Sequence, residues 1–302
     1  MKPYVDLLNK IINEGEIRGD RTGTGTQSIF GGHLEFDLRE SFPLVTIKKT
    51  LFKHAFIEML WFLRGEPNTK YLKDHGVKIW DDWADKQGNL GPIYGVQWRK
   101  WPGKADWVTT LPDDMEQCNP QDGLDEDTPK LKHPRHVWTK EPDIDQVKQL
   151  IEMIKKNPEG RRHIVTAWNP THLSEMGLPP CHRDFQCYVS NDGHLDLMMS
   201  IRSWDTCLGG PFNISQYALL THLLARATGL KPRKLKINYG DAHIYLNHLE
   251  PIKEVLATCP PKDCKTELLI NTDNIDIDGY KIEDFDIIGY ESHPFVKLPI
   301  AV

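Results

Sequence analysis

The stretch GLPPCHRDFQ, Gly177 to Gln186, sets a cysteine beside a histidine after two prolines, in a chain with only six cysteines. A nucleophilic cysteine needs a backbone that cannot drift and a nearby cation that favours its thiolate. Pro179 and Pro180 supply the rigidity, and His182 or Arg202 can supply the charge. A Cys-His protease pair is a poor fit, because that chemistry apposes the two residues in space rather than in sequence. On pattern alone Cys181 is either a thiol held for chemistry or a core residue after a rigid turn.

Other residues also break the pattern of a plain core. Glu58 interrupts the apolar run AFIEMLWFL, where a carboxylate must find a partner, line a cavity or face solvent. In DRTGTGT, Asp20 to Thr26, Arg21 precedes alternating glycines and threonines, which suits either an anion-binding turn or a flexible one. Arg161 and Arg162 stand at a strand entrance, where adjacent side chains point to opposite faces. IRSWDTCLGGPFNISQY places Arg202, Ser203 and Asp205 at a strand end, then a Gly-Gly-Pro break, then Phe212 and Asn213 entering a helix. Asn213 is either that helix's N-cap or an amide that reads an edge such as a pyrimidine base. GDAHIYLNH alternates His243 and Tyr245 onto one strand face, a polar or aromatic surface on pattern alone. No metal is expected: nothing completes a ligand set around His243 and His248, and CPPKDC lacks a second pair.

The elements that must position these residues can be read from periodicity. Tyr4, Val5, Leu8, Ile11 and Ile12 share a helical face that Gly15 should stop. Ser28 to Leu38 alternates like a strand, with Phe30, Leu34, Phe36 and Leu38 on one side. Leu51 to Leu63 reads as a buried helix, and Val147, Leu150, Ile151 and Ile154 as an amphipathic one. Strand-like runs flank Asn191-Asp192-Gly193, a hairpin signal. Ile214 to Thr228 is a second apolar helix closed by Gly229, and KLKINYG is a further strand. Strands interrupted by long helices without regular alternation indicate an α+β fold. The polar, proline-rich stretch from about 102 to 142 has no periodicity and is either a surface excursion or a linker.

Composition narrows the partners. The chain has 302 residues, 39% hydrophobic and 26% charged, which fits a globular protein with a substantial core. Its formal net charge of −6 and lack of a long basic run argue against a nucleic-acid partner. No stretch approaches a membrane span or a signal-peptide core, and sparse cysteines without CxxC suit a reducing, cytoplasmic compartment.

Taken together, the motifs resemble the thymidylate synthase family. The likeness runs through YVDLLNKIINEG, DRTGTGTQSIFG, FPLVTIKK, LWFLRGEPN, IWDDWAD and GPIYGVQWRKW. It resumes in RRHIVTAWNP, LPPCH, RSWDTCLGGPFNISQYALLTHLLA, GDAHIYLNHLE and HPFVKLPIAV. The resemblance implies a single α+β domain over 1–302, a large mixed sheet packed with helices, with the excursion at about 102–142 as an insertion. It implies a sheet-mediated homodimer and reductive methylation of dUMP by 5,10-methylenetetrahydrofolate, giving dTMP and dihydrofolate. Cys181 would attack C6 of the uracil, and Arg202 would stabilise the thiolate and hold the phosphate. Arg21 and Ser203 would join the phosphate site, with Arg161 and Arg162 from the other subunit. Asn213 would read the uracil beside His182, while His243 and Tyr245 would hold the sugar hydroxyl. Glu58 would organise waters for proton transfer, with Tyr94 near the C5 proton. Trp80, Trp83, Leu178, Asp205, Leu208, Gly209 and Phe212 would line the folate pocket, and Ala301-Val302 would close over it.

Ile201, Gly210, Arg183-Asp184 and Cys187 depart from the usual family residues, and all are expected near the nucleotide or folate site. They raise a second reading, in which water rather than hydride finishes the reaction and dUMP is hydroxymethylated. Asn213 favours uracil over cytosine, and Trp80, Leu178 and the apolar C-terminus favour the dry pocket that hydride transfer needs. A third reading adds RNA binding, against which the net charge stands.

Overall fold

The computed structural model describes residues 1–110 and 135–300. Two compact units divide the chain: Met1–Lys100 with Asp145–Val302, and Trp101–Ile144. In the first unit, helix α1 (Lys2–Glu14) buries Tyr4, Leu7, Leu8 and Ile11, while Val5 and Ile12 are only half-buried. Gly15 ends it, although in an extended conformation rather than the left-handed one. A Cβ there would lie 2.4 Å from the Ile11 carbonyl oxygen, so close approach, not backbone handedness, demands the glycine.

Strands β1 (Glu16–Arg18) and β2 (Thr26–Asp37) follow, then helices α2 (Phe52–Arg64), α3 (Lys70–Asp74) and α4 (Tyr94–Arg99). In the second unit, β3 (Ala105–Thr110) pairs antiparallel with β4 (Arg135–Lys140), and Trp101 and Ile144 exchange backbone hydrogen bonds. The excursion therefore contains a two-stranded ladder where its lack of periodicity predicts none. Its acidic centre lies outside the described residues. Back in the first unit come α5 (Gln146–Lys156), β5 (Ile164–Thr166), β6 (His182–Val189), β7 (His194–Asp205), α6 (Gly209–Thr228), β8 (Lys231–Tyr245) and α7 (Leu246–Thr258). Strands β9 (Glu267–Ile270) and β10 (Phe285–Ile288) form a separate small ladder.

The six-stranded sheet runs β1-β2-β8-β7-β6-β5 and is antiparallel except for the parallel pair β7–β8. That one parallel pair makes the sheet mixed, as the resemblance implies. Parallel neighbours need a crossover, and α6 supplies it. Its Ile214, Tyr217, Leu220 and Leu224 are fully buried, and Gly229 caps it at φ +73°. On β7, buried Leu195, Leu197, Met199 and Ile201 alternate with half-buried Asp196, Met198, Ser200 and Arg202. Phe30 shares the parity of Leu34 and Phe36 on β2 but is 84% exposed. Thr26 and Ser28 before it and Leu34 and Phe36 after it are buried, so the core is interrupted at the middle of the strand, where Gly31 follows at φ +82°.

α6 begins at Gly209, so Gly-Gly-Pro opens the helix instead of breaking the chain ahead of it. Proline is tolerated in a first turn, whose N–H groups lack intrahelical acceptors anyway. Asn213 consequently lies inside the helix and is not its N-cap.

Because Trp101 and Ile144 already close the base of the excursion, replacing residues 105–140 by a short turn is expected to leave the first unit folded. Thermal unfolding should move by no more than about 4 °C, equivalent to ~1 kcal/mol at this size. A larger drop would show that the excursion carries part of the fold.

Candidate active site

The register of the parallel pair sets Ser203 against Asp241 and Asp205 against His243. The ends of β7 and β8 thereby present polar side chains side by side at the mouth of a cavity of about 950 Å³, a size suited to small-molecule ligands. Asp205 Oδ1 accepts from the Cys207 and Leu208 N–H groups at 2.9 and 3.1 Å, which shapes the turn into α6 and leaves Oδ2 for a ligand. His243 Nδ1 pairs with Asp241 Oδ1 at 2.7 Å, and the His243 and Tyr245 rings meet edge to face at 5.2 Å.

Cys181 stands at the entry to β6. Its N–H donates to the Tyr94 hydroxyl at 2.8 Å, and its carbonyl accepts from the Arg202 N–H at 2.9 Å. The preceding prolines do more than stiffen the chain. Arg202 Nε donates to the Pro180 carbonyl and Nη2 to the Pro179 carbonyl, each at 2.9 Å, which pins the guanidinium beside the thiol. Burial raises the Cys181 pKa, while Arg202 and the Tyr94 hydroxyl pull it back. The resting form at neutral pH is therefore the thiol, not the low-pKa thiolate that a free catalytic cysteine leads one to expect.

Tyr94 is placed by α4 packing on α2. Its ring stacks on Phe62 at 4.7 Å, and its φ of +22° lies in the left-handed region, at a cost of about 1–3 kcal/mol. A Cβ on Gly95 would lie 2.1 Å from the Phe62 carbonyl oxygen, so only glycine lets the two helices meet there.

Glu58 is buried at the centre of α2 with both carboxylate oxygens engaged. Trp80 Nε1 donates to Oε1 at 2.6 Å, and Gln216 Nε2 donates to Oε2 at 2.5 Å. Burial pushes its pKa up to about 7, with the two hydrogen bonds pulling the other way. Burial also lowers His182 to about 4, so that ring is neutral. The DRTGTGT turn is organised rather than loose: Asp20 accepts from the Gly25 N–H at 2.7 Å and from the Thr22 hydroxyl at 2.6 Å.

Most of the residues singled out from the sequence converge. Arg21, Arg202, Ser203, His182, Asn213, His243 and Tyr245 line the cavity together with Cys181, Glu58 and Tyr94. Trp80, Trp83, Leu178, Asp205, Leu208, Gly209 and Phe212 line it as well. Arg161 and Arg162 are exposed and do not line it, and Ala301 lies outside the described residues. Of the departures from the family pattern, only Ile201 reaches the cavity. Cys187 is buried in the core, Gly210 packs near Tyr4, and Arg183 pairs with Asp184 at 3.8 Å.

Sequence reasoning missed four residues of this region. Lys48 is buried facing Cys207 and Asp205. It supplies the positive charge beside Asp205, Cys207 and His248, whose potential ligand atoms lie within 4.8 Å of one another. Asp241 orients His243. Trp204 and Gln216 bond to Asn213, and only Gln216 had a usable signal, its helical i+3 spacing from Asn213.

The raised Glu58 pKa has a consequence for stability. Between the ordinary carboxylate value of 4.5 and about 7 the folded state holds the proton that the unfolded state has lost, so stability falls as pH rises across that window. Glu58→Gln should remove this slope in urea-unfolding measurements. Above pH 7 it should stabilise by about 2 kcal/mol, the ~3 kcal/mol of linkage less one mismatched hydrogen bond. An unchanged slope would mean that Glu58 ionises normally in the folded protein.

A thiol pinned beside an arginine, a buried carboxylate and a buried amide at the end of a parallel strand pair agree with what one family model finds along the whole chain. That model, described as thymidylate synthase, matches residues 2–302, and the chain belongs to the thymidylate synthase family.

Proposed function

We propose that this protein catalyses reductive methylation of dUMP to dTMP with methylenetetrahydrofolate. The observation that carries the reading is the Cys181 thiol held between the Tyr94 hydroxyl and the Arg202 guanidinium in the same cavity as Asn213 and Glu58. Cys181 gives up its thiol proton to solvent as the thiolate forms beside Arg202, and Sγ then adds to C6 of the uracil ring, forming an S–C bond while the ring electrons move toward O4 and C5 becomes nucleophilic. A nucleotide phosphate entering beside Arg202 and Arg21 brings its own anion next to the thiol. Sulfur ionisation therefore depends on Arg202 remaining anchored to the proline carbonyls.

When bound, the reduced folate supplies the one-carbon unit and the hydride that turns it into a methyl group. An aromatic and aliphatic wall of Trp80, Trp83, Leu178, Leu208 and Phe212 suits such a flat heterocycle, with Asp205 Oδ2 open to its N–H donors. In this reading Tyr94 relays the C5 proton, and Glu58, its pKa raised to about 7 by burial, exchanges a proton toward O4. Elimination at C6 then returns the electron pair to Cys181 and frees the product. Ile201, 2% exposed, with Leu298 and Ile300 on the same cavity, supports a dry site in which hydride outcompetes water.

Arg161 and Arg162 act in this reading on the partner subunit's phosphate site. The sheet face carrying exposed Tyr188 and Ile164 beside Met198 supports a homodimer across the sheet. No helix among the described residues is long and apolar enough to cross a membrane.

The test mixes protein, dUMP and methylenetetrahydrofolate, follows dihydrofolate absorbance and weighs the nucleotide. Rising absorbance with a product heavier by a methyl group is expected. A flat trace with one further oxygen in the product would make this chain a hydroxymethylase. Cys181→Ser should lower turnover by at least ~10³-fold while dUMP binding persists. Near-normal turnover would remove Cys181 as nucleophile.

A further inference from the structure

A directed chain of hydrogen bonds runs behind the cavity wall. Trp204 Nε1 donates to Asn213 Oδ1 at 3.1 Å, and Asn213 Nδ2 donates to Gln216 Oε1 at 3.3 Å. Gln216 Nε2 donates to Glu58 Oε2 at 2.5 Å, and Trp80 Nε1 closes the chain on Glu58 Oε1 at 2.6 Å. All of these groups are buried, Gln216 and Trp204 completely. An indole N–H can only donate, so the Asn213 atom facing Trp204 must be its carbonyl oxygen. Asn213 then turns an N–H toward Gln216, whose own N–H must face Glu58. Reversing either amide would set donor against donor, or carbonyl against carboxylate. One arrangement satisfies every member, and it is the one that fits an ionised Glu58.

We infer that Trp204 and Gln216 are positioning residues that lock the Asn213 amide for a uracil edge and couple that orientation to the protonation of Glu58. The inference rests on the proposed nucleotide reading. Asn213 Oδ1 would take the uracil N3–H in place of the bond it shares with the neutral His182 ring, and Nδ2 keeps an N–H that gives to O4. Cytosine presents the reverse pattern, an acceptor at N3 and a donor at the exocyclic amine. Accepting it requires Asn213 to turn over, which breaks the Trp204 bond and forces Gln216 to turn its carbonyl toward Glu58. That end state is tolerable only when Glu58 carries a proton to donate. Base choice and proton state are thus two readouts of one chain.

Other groups face Glu58. Tyr94 from α4 and Tyr217 from α6 have their pKa values pushed well up by burial, and burial raises the Cys181 thiol too. His182 is neutral, lowered to about 4, and His54 lies one turn earlier on α2. Around neutral pH the carboxylate is the member of the chain that changes charge.

The experiment compares dUMP and dCMP binding by titration calorimetry across neutral pH, and their turnover with methylenetetrahydrofolate, in the wild type, Trp204→Phe and Gln216→Met. Glu58→Gln serves to assign the carboxylate. Both nucleotides carry the same phosphate, so its titration cancels in the ratio of their affinities. The wild type should prefer dUMP throughout. Trp204→Phe should narrow that preference at least about tenfold, the worth of one buried hydrogen bond, and should narrow it most on the acid side, where Glu58 can protonate. Gln216→Met should make the preference independent of pH. It should also move the acid limb of dUMP turnover up by about one to two pH units, because Glu58 loses a hydrogen bond to its charged form.

A merely structural role weakens both nucleotides alike and leaves the limb in place, so an unchanged dUMP-to-dCMP ratio in either variant overturns the inference. Retention of the ratio in one variant that folds is enough to do so even if the other does not fold. If the wild type binds and turns over neither nucleotide, the nucleotide reading falls and takes the inference with it. Wild-type turnover of dUMP with unaltered variants leaves that reading standing and removes only the coupling.

Discussion

The parallel pairing of β7 on β8 is the constraint from which the rest of the site follows. It is the single parallel contact in an otherwise antiparallel sheet, and it forces a crossover between the two strands. That crossover is α6, whose first turns must pass over the strand ends to reach the other side. Ser203, Asp205, Asp241 and His243 are consequently ordered by register, and Asn213 is brought to them by the start of the helix. Pairing the strands in the opposite sense would allow a short hairpin and would remove the element that carries Asn213 and Gln216. Topology here decides which chemistry can meet.

Within that frame, polar groups are held by other buried groups rather than by solvent. Arg202 is anchored on the carbonyls of two successive prolines, whose fixed φ holds those acceptors in place, so its charge stays aimed beside Cys181. Glu58 is held by an indole and an amide inside an apolar helix pair. The same burial acts in opposite directions on different groups: it raises the Glu58 carboxyl and the Cys181 thiol and lowers the His182 imidazole. All are driven toward neutrality. The cavity wall carries charges of both signs, with Asp20, Asp205 and Asp241 as well as Arg21, Arg202 and Lys48 along it.

Much of this was legible in the sequence where a residue carries its own signal. Cys181 after two prolines, Glu58 in an apolar helix and the polar run from Arg202 to Asn213 stood out because their types conflict with plain packing. The hairpin at Asn191-Asp192-Gly193 and the cap at Gly229 were legible because local backbone chemistry sets them. What escaped depends on partners remote in the chain. Gln216 looks like an ordinary helix residue until Glu58, 158 positions away, is placed against it. Trp204 reads as core, and nothing in its own segment shows that its N–H faces Asn213. Asn213 was ambiguous because a Gly-Gly-Pro run signals a break as readily as a helix start, and the tertiary packing of α6 chose the latter. Phe30 followed the correct alternation yet is exposed between buried same-parity neighbours on either side, since alternation gives the face of a side chain but not whether another element covers it there.

The site also has to be stabilised by residues that do no chemistry. Glu58 ionised at neutral pH costs about 3 kcal/mol relative to the unfolded chain, and the Tyr94 backbone about 1–3 kcal/mol more. Together these come to about 4–6 kcal/mol, comparable with the lower end of an ordinary domain's margin of about 5–15 kcal/mol. The structure meets that cost locally. Phe62 lies under the Tyr94 ring, Trp61 and Trp80 pack against each other beside Glu58, and Trp98 buttresses Phe62, Phe185 and Tyr217. Each fully buried aromatic of this kind contributes about 1.5–3 kcal/mol through burial alone. The dense aromatic packing around α2 and α4 is therefore what allows a strained tyrosine and a buried carboxylate to persist where a cavity needs them. Substitutions in that layer should act on the site through Tyr94 and Glu58 before they act on the sheet.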